Sequence, residues 1–327
     1  MASAATIIGD PAWMPHRLDM AGRRIQFLKI DRERLGEGPF LAQFEPYGEQ
    51  DQTWLTLADL QHVAQPGGRL HFIFHTAFCR STLLAKALDI PEHSVGYSEP
   101  GILNDIAAHG TAAHPLLPPV LALLARPRSE GEVVFVKPSN HANGLIPPLM
   151  AARPDARAIM LSSGCEAFLA SIHRKGLPGR SWARRLYLEI QDYAPLNLGM
   201  DGRQVFAMSD LQVAGLAWLM NRRWFAMQMA AAGERLRSLD ARLVKERAAD
   251  TVRHTMAFAG AAISDEMARE IANGGTFARD AKTGGAVPTP SESHGETVDE
   301  EIAKVVQWIG QVSASAGIPL EQPAPLF

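Results

Sequence analysis

Three features of the sequence predict an α/β protein with a central parallel sheet and a helical C-terminal part. Short, almost wholly apolar runs recur at residues 70–74, 93–98, 133–136 and 156–161. Segments with apolar residues at helical spacing separate them, and from about residue 181 the pattern is mainly helical. Runs of four to six apolar residues suit strands buried on both faces. Their alternation with helices calls for parallel strands joined by right-handed crossovers.

Taken in order, the first ~65 residues are punctuated by Pro11, Pro15, Gly36, Gly38 and Pro46, with one short extended piece at 24–28. They read as an N-terminal appendage, 1–66, with short β elements. Gln65-Pro66-Gly67-Gly68 marks its boundary with an α/β domain at 67–327. In that domain the strand at 70–74 leads into a helix at 81–88. The strand at 93–98 is followed by helical pieces at 102–109 and 116–124. The strand at 133–136 precedes a helix at 144–152, and the strand at 156–161 a helix at 166–174. A long helix at 211–232 carries Trp218 and Trp224 with Met220, Met227 and Met229, and is read as core, with an acceptor pocket as the alternative. Residues 235–239 suit one more strand and 243–259 a further helix. Residues 274–293, rich in Gly, Pro, Ser and Thr, suit a mobile loop. The acidic triplet Asp299-Glu300-Glu301 is expected to open a last helix to about residue 312, where negative charge favours a helix start.

The 327 residues are 46% hydrophobic and 20% charged, with a formal charge of −3. That balance gives no reason to expect nucleic acid or an anionic membrane as partner. The start lacks the basic and apolar regions of a secretory signal, and no apolar run reaches the roughly 20 residues of a membrane span. The two cysteines, Cys79 and Cys165, suit reduced thiols in a cytoplasmic protein.

The segment from His71 to Leu84, HFIFHTAFCRSTLL, carries the most chemistry. A buried strand enters a short loop, and the loop opens a helix at Ser81 and Thr82. Backbone N–H groups of such a turn suit a phosphate, as in P-loop NTPase-like three-layer folds, although Ser and Thr equally cap helices. Cys79-Arg80-Ser81 stands where a Walker loop needs Gly-Lys-Ser/Thr. The candidate strands finish at His75, Glu99, Lys137 and Ser162, none of them an aspartate for magnesium. Both departures weigh against a Mg-dependent kinase or NTPase, and no metal is expected.

In this segment the chain resembles the sulfotransferase family, in its bacterial and tyrosylprotein-sulfotransferase style. Ser81-Thr82-Leu83-Leu84 matches the end of that family's first loop. Gly96-Tyr97-Ser98-Glu99-Pro100 resembles the second-strand motif whose glutamate is the catalytic base. Val136-Lys137-Pro138 resembles its Lys-x-Pro segment, and Arg153-Pro154-Asp155-Ala156 the step before strand four. Ser171 falls at the serine that holds the 3′-phosphate of PAPS (3′-phosphoadenosine 5′-phosphosulfate). Two places depart from the family: Ser163 replaces its strand-end arginine, and its basic loop residue falls at Phe78, which puts Arg80 at the glycine place. The similarity spans roughly residues 70–175.

The resemblance implies sulfuryl transfer from PAPS to a hydroxyl of a small-molecule acceptor. Glu99 is the expected base, or else a helix cap or surface ion pair. Lys137 is expected to neutralise charge on the transferring group, or else to extend its ammonium into solvent. Arg80 is expected to reach the 5′-phosphate or sulfate. Phe78, Cys79, Arg80, Ser81, Thr82, Ser163 and Ser171 are the expected donor-binding residues. Arg279 and Lys282 are candidates for a loop closing over the nucleotide, and Arg174 and Lys175 are further sources of a cation for the 3′-phosphate. His75 reads as a packing residue, or else as an acceptor-side base. A phosphotransferase using ATP, or a non-catalytic nucleotide-binding relative, are the alternatives.

Overall fold

The computed structural model describes residues 3–63, 67–285 and 296–327, Glu296 by its backbone alone. Strands β1 (Trp13–Asp19), β2 (Arg24–Lys29) and β3 (Gln52–Thr56) form an antiparallel meander. Strands β4 (Leu70–His75), β5 (Ser94–Ser98), β6 (Val133–Lys137), β7 (Ala158–Ser162) and β8 (Leu236–Asp240) form a parallel sheet in the order β5-β6-β4-β7-β8, flanked by helices. The expected α/β class with a central parallel sheet is the observed one. Every residue of β4, β6 and β7 is buried, which is why these strands read as unbroken apolar runs and not as alternations.

The chain divides into two compact units. The first takes its residues from Met1–His75, Arg80–Ile159 and Leu243–Val287. In it the N-terminal residues are fastened to the sheet's connections by arginines. The Arg126 guanidinium donates to the carbonyls of Ile7, Ile8, Asp10 and Trp13. Arg128 reaches the Ile30 carbonyl and the Tyr97 hydroxyl, and Arg32 pairs with Asp89 and the buried Glu132. Gly96 in β5 admits the helix Ser81–Ala87: a Cβ there would lie 1.9 Å from the Ala85 carbonyl oxygen. A glycine is needed for that approach.

The second unit takes its residues from Thr76–Cys79, Met160–Arg242 and Pro288–Phe327. Its centre is the helix Asp210–Ala232, opened by a reciprocal capping box between Ser209 and Gln212 and buried around much of its girth. Trp218 donates its indole N–H to the Ser163 carbonyl at 2.8 Å. The C-terminal residues run beside β8, with Ser238 and Leu326 N–H groups donating to the Ala324 and Ser238 carbonyls.

Several elements differ from the sequence reading. The helix expected over 243–259 is two helices, Leu243–Glu246 and Ala248–Phe258, broken at Arg247, whose φ of −132° is not helical. The last helix is Glu296–Ser315, so the acidic triplet lies inside its first turns and does not open it. Residues 274–285 hold a one-turn helix, Gly275–Ala278, and a turn closed on the Asp280 carboxylate; 286–293 lie outside the described residues. The boundary at Gln65-Pro66 also lies outside them. Met227, read with the core of its helix, is 45% exposed. Among the described residues no helix is long and apolar enough to cross a membrane.

Candidate functional site

The parallel pairing of β5 with β6 and of β6 with β4 brings the C-terminal ends of all three to one edge, in the first unit. Ser98 lies opposite Lys137 in that register, and the Glu99 N–H donates to the Lys137 carbonyl at 2.7 Å. Glu99 leaves the strand with φ of +51°, a left-handed conformation that costs a non-glycine residue about 1 kcal/mol. Such strain gathers at sites where a side chain must be aimed.

The turn at Glu99 aims its carboxylate at Lys137. Lys137 Nζ lies 2.5 Å from Glu99 Oε1, and the lysine is 0% exposed against 17% for the glutamate side chain. His75, at the end of β4, completes a cluster. Its Nε2 is 3.3 Å from Lys137 Nζ, 4.0 Å from Glu99 Oε1 and 3.1 Å from the Pro138 carbonyl oxygen. The Asn143 side-chain amide donates to the His75 carbonyl. Pro100, not Glu99, holds the N-cap position of Gly101–His109; Glu99 is ion-paired with Lys137, and the Lys137 ammonium does not reach solvent.

Arg80 is exposed at the start of the helix Ser81–Ala87, with φ of +63°. It occupies the N-cap position without a side-chain cap bond, so Ser81 and Thr82 are the first two residues of the helix, both buried, and not its caps. The left-handed conformation at Arg80 is one that glycine adopts without strain.

Residues 38–44 pass over this edge. The Ala42 N–H donates to the Glu99 carbonyl at 3.0 Å, and the Phe40 ring centroid is 5.3 Å from Lys137 Nζ. Lys282 Nζ lies 5.6 Å from the same centroid. The turn that carries it is closed by Asp280 Oδ1, which accepts from the N–H groups of Lys282 and Thr283. Those bonds hold the Asp280 carboxyl below its ordinary range. Arg279, next to it, is exposed.

Four of the expected residues, Phe78, Cys79, Ser163 and Ser171, belong to the second unit. Phe78 has φ of +59° and packs its ring against Phe168 and Trp182, with Lys175 Nζ 5.5 Å from its centroid. Cys79 and Cys165 are buried and form no disulfide among the described residues, and burial pushes the Cys165 thiol up to about 12. Ser163 is buried, and its hydroxyl has no hydrogen-bond partner among the described residues. The Ser171 hydroxyl donates to the Ala167 carbonyl and accepts from Arg174 at 3.0 Å.

Sequence reasoning missed Phe40, Ala42 and Asn143, and for His75 it favoured packing over an acceptor-side base. No local signal marks them, because each is recruited by strand register or by a segment distant in sequence. Buried polar atoms of the first unit that lack a partner among the described residues include Ser98 Oγ and Asn140 Nδ2. Among the described residues no group of three or more His, Cys, Asp or Glu could hold a metal ion.

No family model matches the chain, and no curated protein matches it by sequence. Solved structures to which it is similar include the sulfotransferase domain from the curacin biosynthetic pathway, at 13% identity, 80% of this chain, 100% of that one and a TM-score of 0.42. A sulfotransferase from Alicyclobacillus acidocaldarius is 14% identical over 77% of this chain and 96% of that one, with a TM-score of 0.44. One from Mycobacterium avium is 14% identical over 79% of each chain, with a TM-score of 0.46.

Proposed function

We propose that the chain transfers a sulfuryl group from PAPS to a hydroxyl of a small-molecule acceptor, with Glu99 as base. The observation that carries this reading is the Glu99–Lys137 pair, joined by His75, at the ends of three neighbouring parallel strands. In the reaction the acceptor oxygen bonds to sulfur while the bond from sulfur to the bridging phosphate oxygen breaks. The leaving PAP (3′,5′-adenosine bisphosphate) keeps that electron pair, and Glu99 takes the acceptor proton. Lys137 holds the Glu99 carboxylate in place and stabilises negative charge developing beside it; catalysis of this kind is chiefly positioning and electrostatics.

Each unit, taken by itself, carries residues of the kind such a donor needs. In the first unit, Arg80 offers an exposed guanidinium, Ser81 and Thr82 offer hydroxyls, and Arg279 and Lys282 are further cations for the phosphosulfate end. Phe78 and Cys79 contribute the backbone of the loop that leads to them. In the second unit the family's arginine is absent at Ser163, but Arg174 stands on Ser171 and brings a guanidinium to the serine proposed for the 3′-phosphate. The unpartnered Ser163 hydroxyl suits a phosphate oxygen as acceptor.

Calorimetry with PAP, with MgATP and with buffer tests the reading. PAP is expected to bind and MgATP not to; binding of MgATP with no binding of PAP refutes it, and binding of neither favours a non-catalytic role. Glu99→Gln is expected to abolish sulfuryl transfer from PAPS while leaving PAP affinity close to that of the parent.

A further inference from the structure

We infer that Phe40, carried by the N-terminal residues, is the acceptor-side wall of the Glu99–Lys137 site, and that its ring must swing off Lys137 before an acceptor hydroxyl can reach the pair. The inference rests on the reading of Glu99 and Lys137 as the reacting pair. It starts from a conflict within the geometry. A lysine that stabilises charge on a transferring group must touch that group, yet Lys137 is 0% exposed. Something that covers it has to move.

Glu99, His75 and the Phe40 ring are among the groups that stand over the ammonium. Glu99 belongs to the reacting pair and is held by the Lys137 carbonyl through its own N–H. His75 is 4% exposed at the end of a strand buried throughout, fixed through its ring by the Pro138 carbonyl and through its backbone by Asn143. Phe40 differs from both. It is half-buried, lies in extended conformation just before a single 3-10 turn, Leu41–Gln43, and belongs to no strand or helix. The segment is tied to this edge by the Ala42 N–H on the Glu99 carbonyl, two residues beyond the ring. Turning the ring about its side-chain bonds therefore uncovers Lys137 without breaking a strand or that hydrogen bond.

The ring also links two cations. With Lys137 and Lys282 both within 5.6 Å of its centroid, their ammonium nitrogens are no more than about 11 Å apart. A ring that leaves Lys137 also leaves Lys282. The space it vacates is bordered by two ammonium groups and the Glu99 carboxylate, the charges needed around a hydroxyl that is losing its proton as it gains a sulfuryl group. The N-terminal residues are on this account part of the site and not an accessory to it.

The test is amine acetylation of the full-length protein with acetic anhydride, without donor or acceptor, followed by peptide mapping of each lysine. In the parent, Lys282 is expected to be labelled and Lys137 protected. In Phe40→Ala, labelling of Lys137 is expected to rise by roughly tenfold as the local cover is lost, with Lys29 and Lys304 unchanged. A folded Phe40→Ala protein in which Lys137 stays as protected as in the parent overturns the inference. Should all lysines rise together, the variant has unfolded, and Phe40→Val, a smaller apolar side chain that suits the extended backbone but cannot span the ring's cover, is read by the same criterion. The readout needs no nucleotide and no turnover, so it fails independently of PAP binding.

Discussion

Lys137 Nζ sits 2.5 Å from Glu99 Oε1, although 38 residues separate the two and the lysine is wholly buried. Each charge depends on the other, but unequally. Lys137→Met leaves a carboxylate that is 17% exposed and can recruit water. Glu99→Gln leaves an ammonium enclosed without its counter-charge, and breaking a buried pair in this way costs about 3 kcal/mol or more. Urea denaturation of both single variants and the double variant is expected to show Glu99→Gln as the least stable, with Lys137→Met recovering part of its loss. Additive losses in the cycle would contradict this account.

Arg80 has glycine's backbone conformation and a guanidinium's charge, and the two can be separated. Arg80→Gly relieves about 1 kcal/mol of left-handed strain, so the thermal midpoint is expected not to fall. PAP affinity is expected to fall by roughly tenfold with the loss of a charge-assisted hydrogen bond. Arg80→Ala keeps the strain and loses the charge, so it should match the glycine variant in affinity and lie below it in midpoint. Unchanged PAP affinity in both would remove Arg80 from the donor site.

His71 gives the fold an acid limit. Burial, with a smaller contribution from Arg69, holds its imidazole down at about 4 from the ordinary 6.5. Its Nδ1 accepts the Arg157 N–H at 3.2 Å, so the folded protein holds the neutral ring. The folded value lies below the unfolded one, so the unfolded chain binds the extra proton first. This contribution is complete above pH 6.5 and is lost as pH falls from there towards 4, by about 3 kcal/mol in all. Denaturation across that range should show the slope, and His71→Phe should flatten it.

Gly96→Ala tests what places the helix Ser81–Ala87. The new Cβ would meet the Ala85 carbonyl oxygen at 1.9 Å, and backbone cannot yield as a side-chain tip can. A loss of about 3 kcal/mol or more is expected in urea denaturation, from the overpacking. A variant of parental stability would show that the helix can shift away from β5 at little cost.

The strands of the parallel sheet were legible because burial on both faces leaves each a short apolar run, as at Val133–Lys137. Glu99 and Lys137 were legible as strand-end residues. Their pairing was not, because it depends on the β5–β6 register and on a left-handed turn at a residue type that seldom adopts one. The same limit hid Arg80's conformation, since the missing glycine of the loop read as a departure and the backbone kept glycine's shape. Phe40 could not be found by any local pattern. It joins the site through segments whose contacts form only after residues 99 and 137 are in place. The break at Arg247 went unseen because apolar spacing carries across it.

The carbonyls gathered by Arg126 carry a consequence for the order of synthesis. The first thirteen residues leave the ribosome long before the guanidinium that holds four of their carbonyls exists, and Arg32 likewise waits for Glu132. The β1–β3 meander, which ends at Thr56, must therefore wait without these partners while the chain up to Arg126 and Glu132 is made. Contacts so distant along the chain slow folding and prolong the exposure of apolar strands. The yield of folded protein should accordingly respond to chaperone supply and growth temperature.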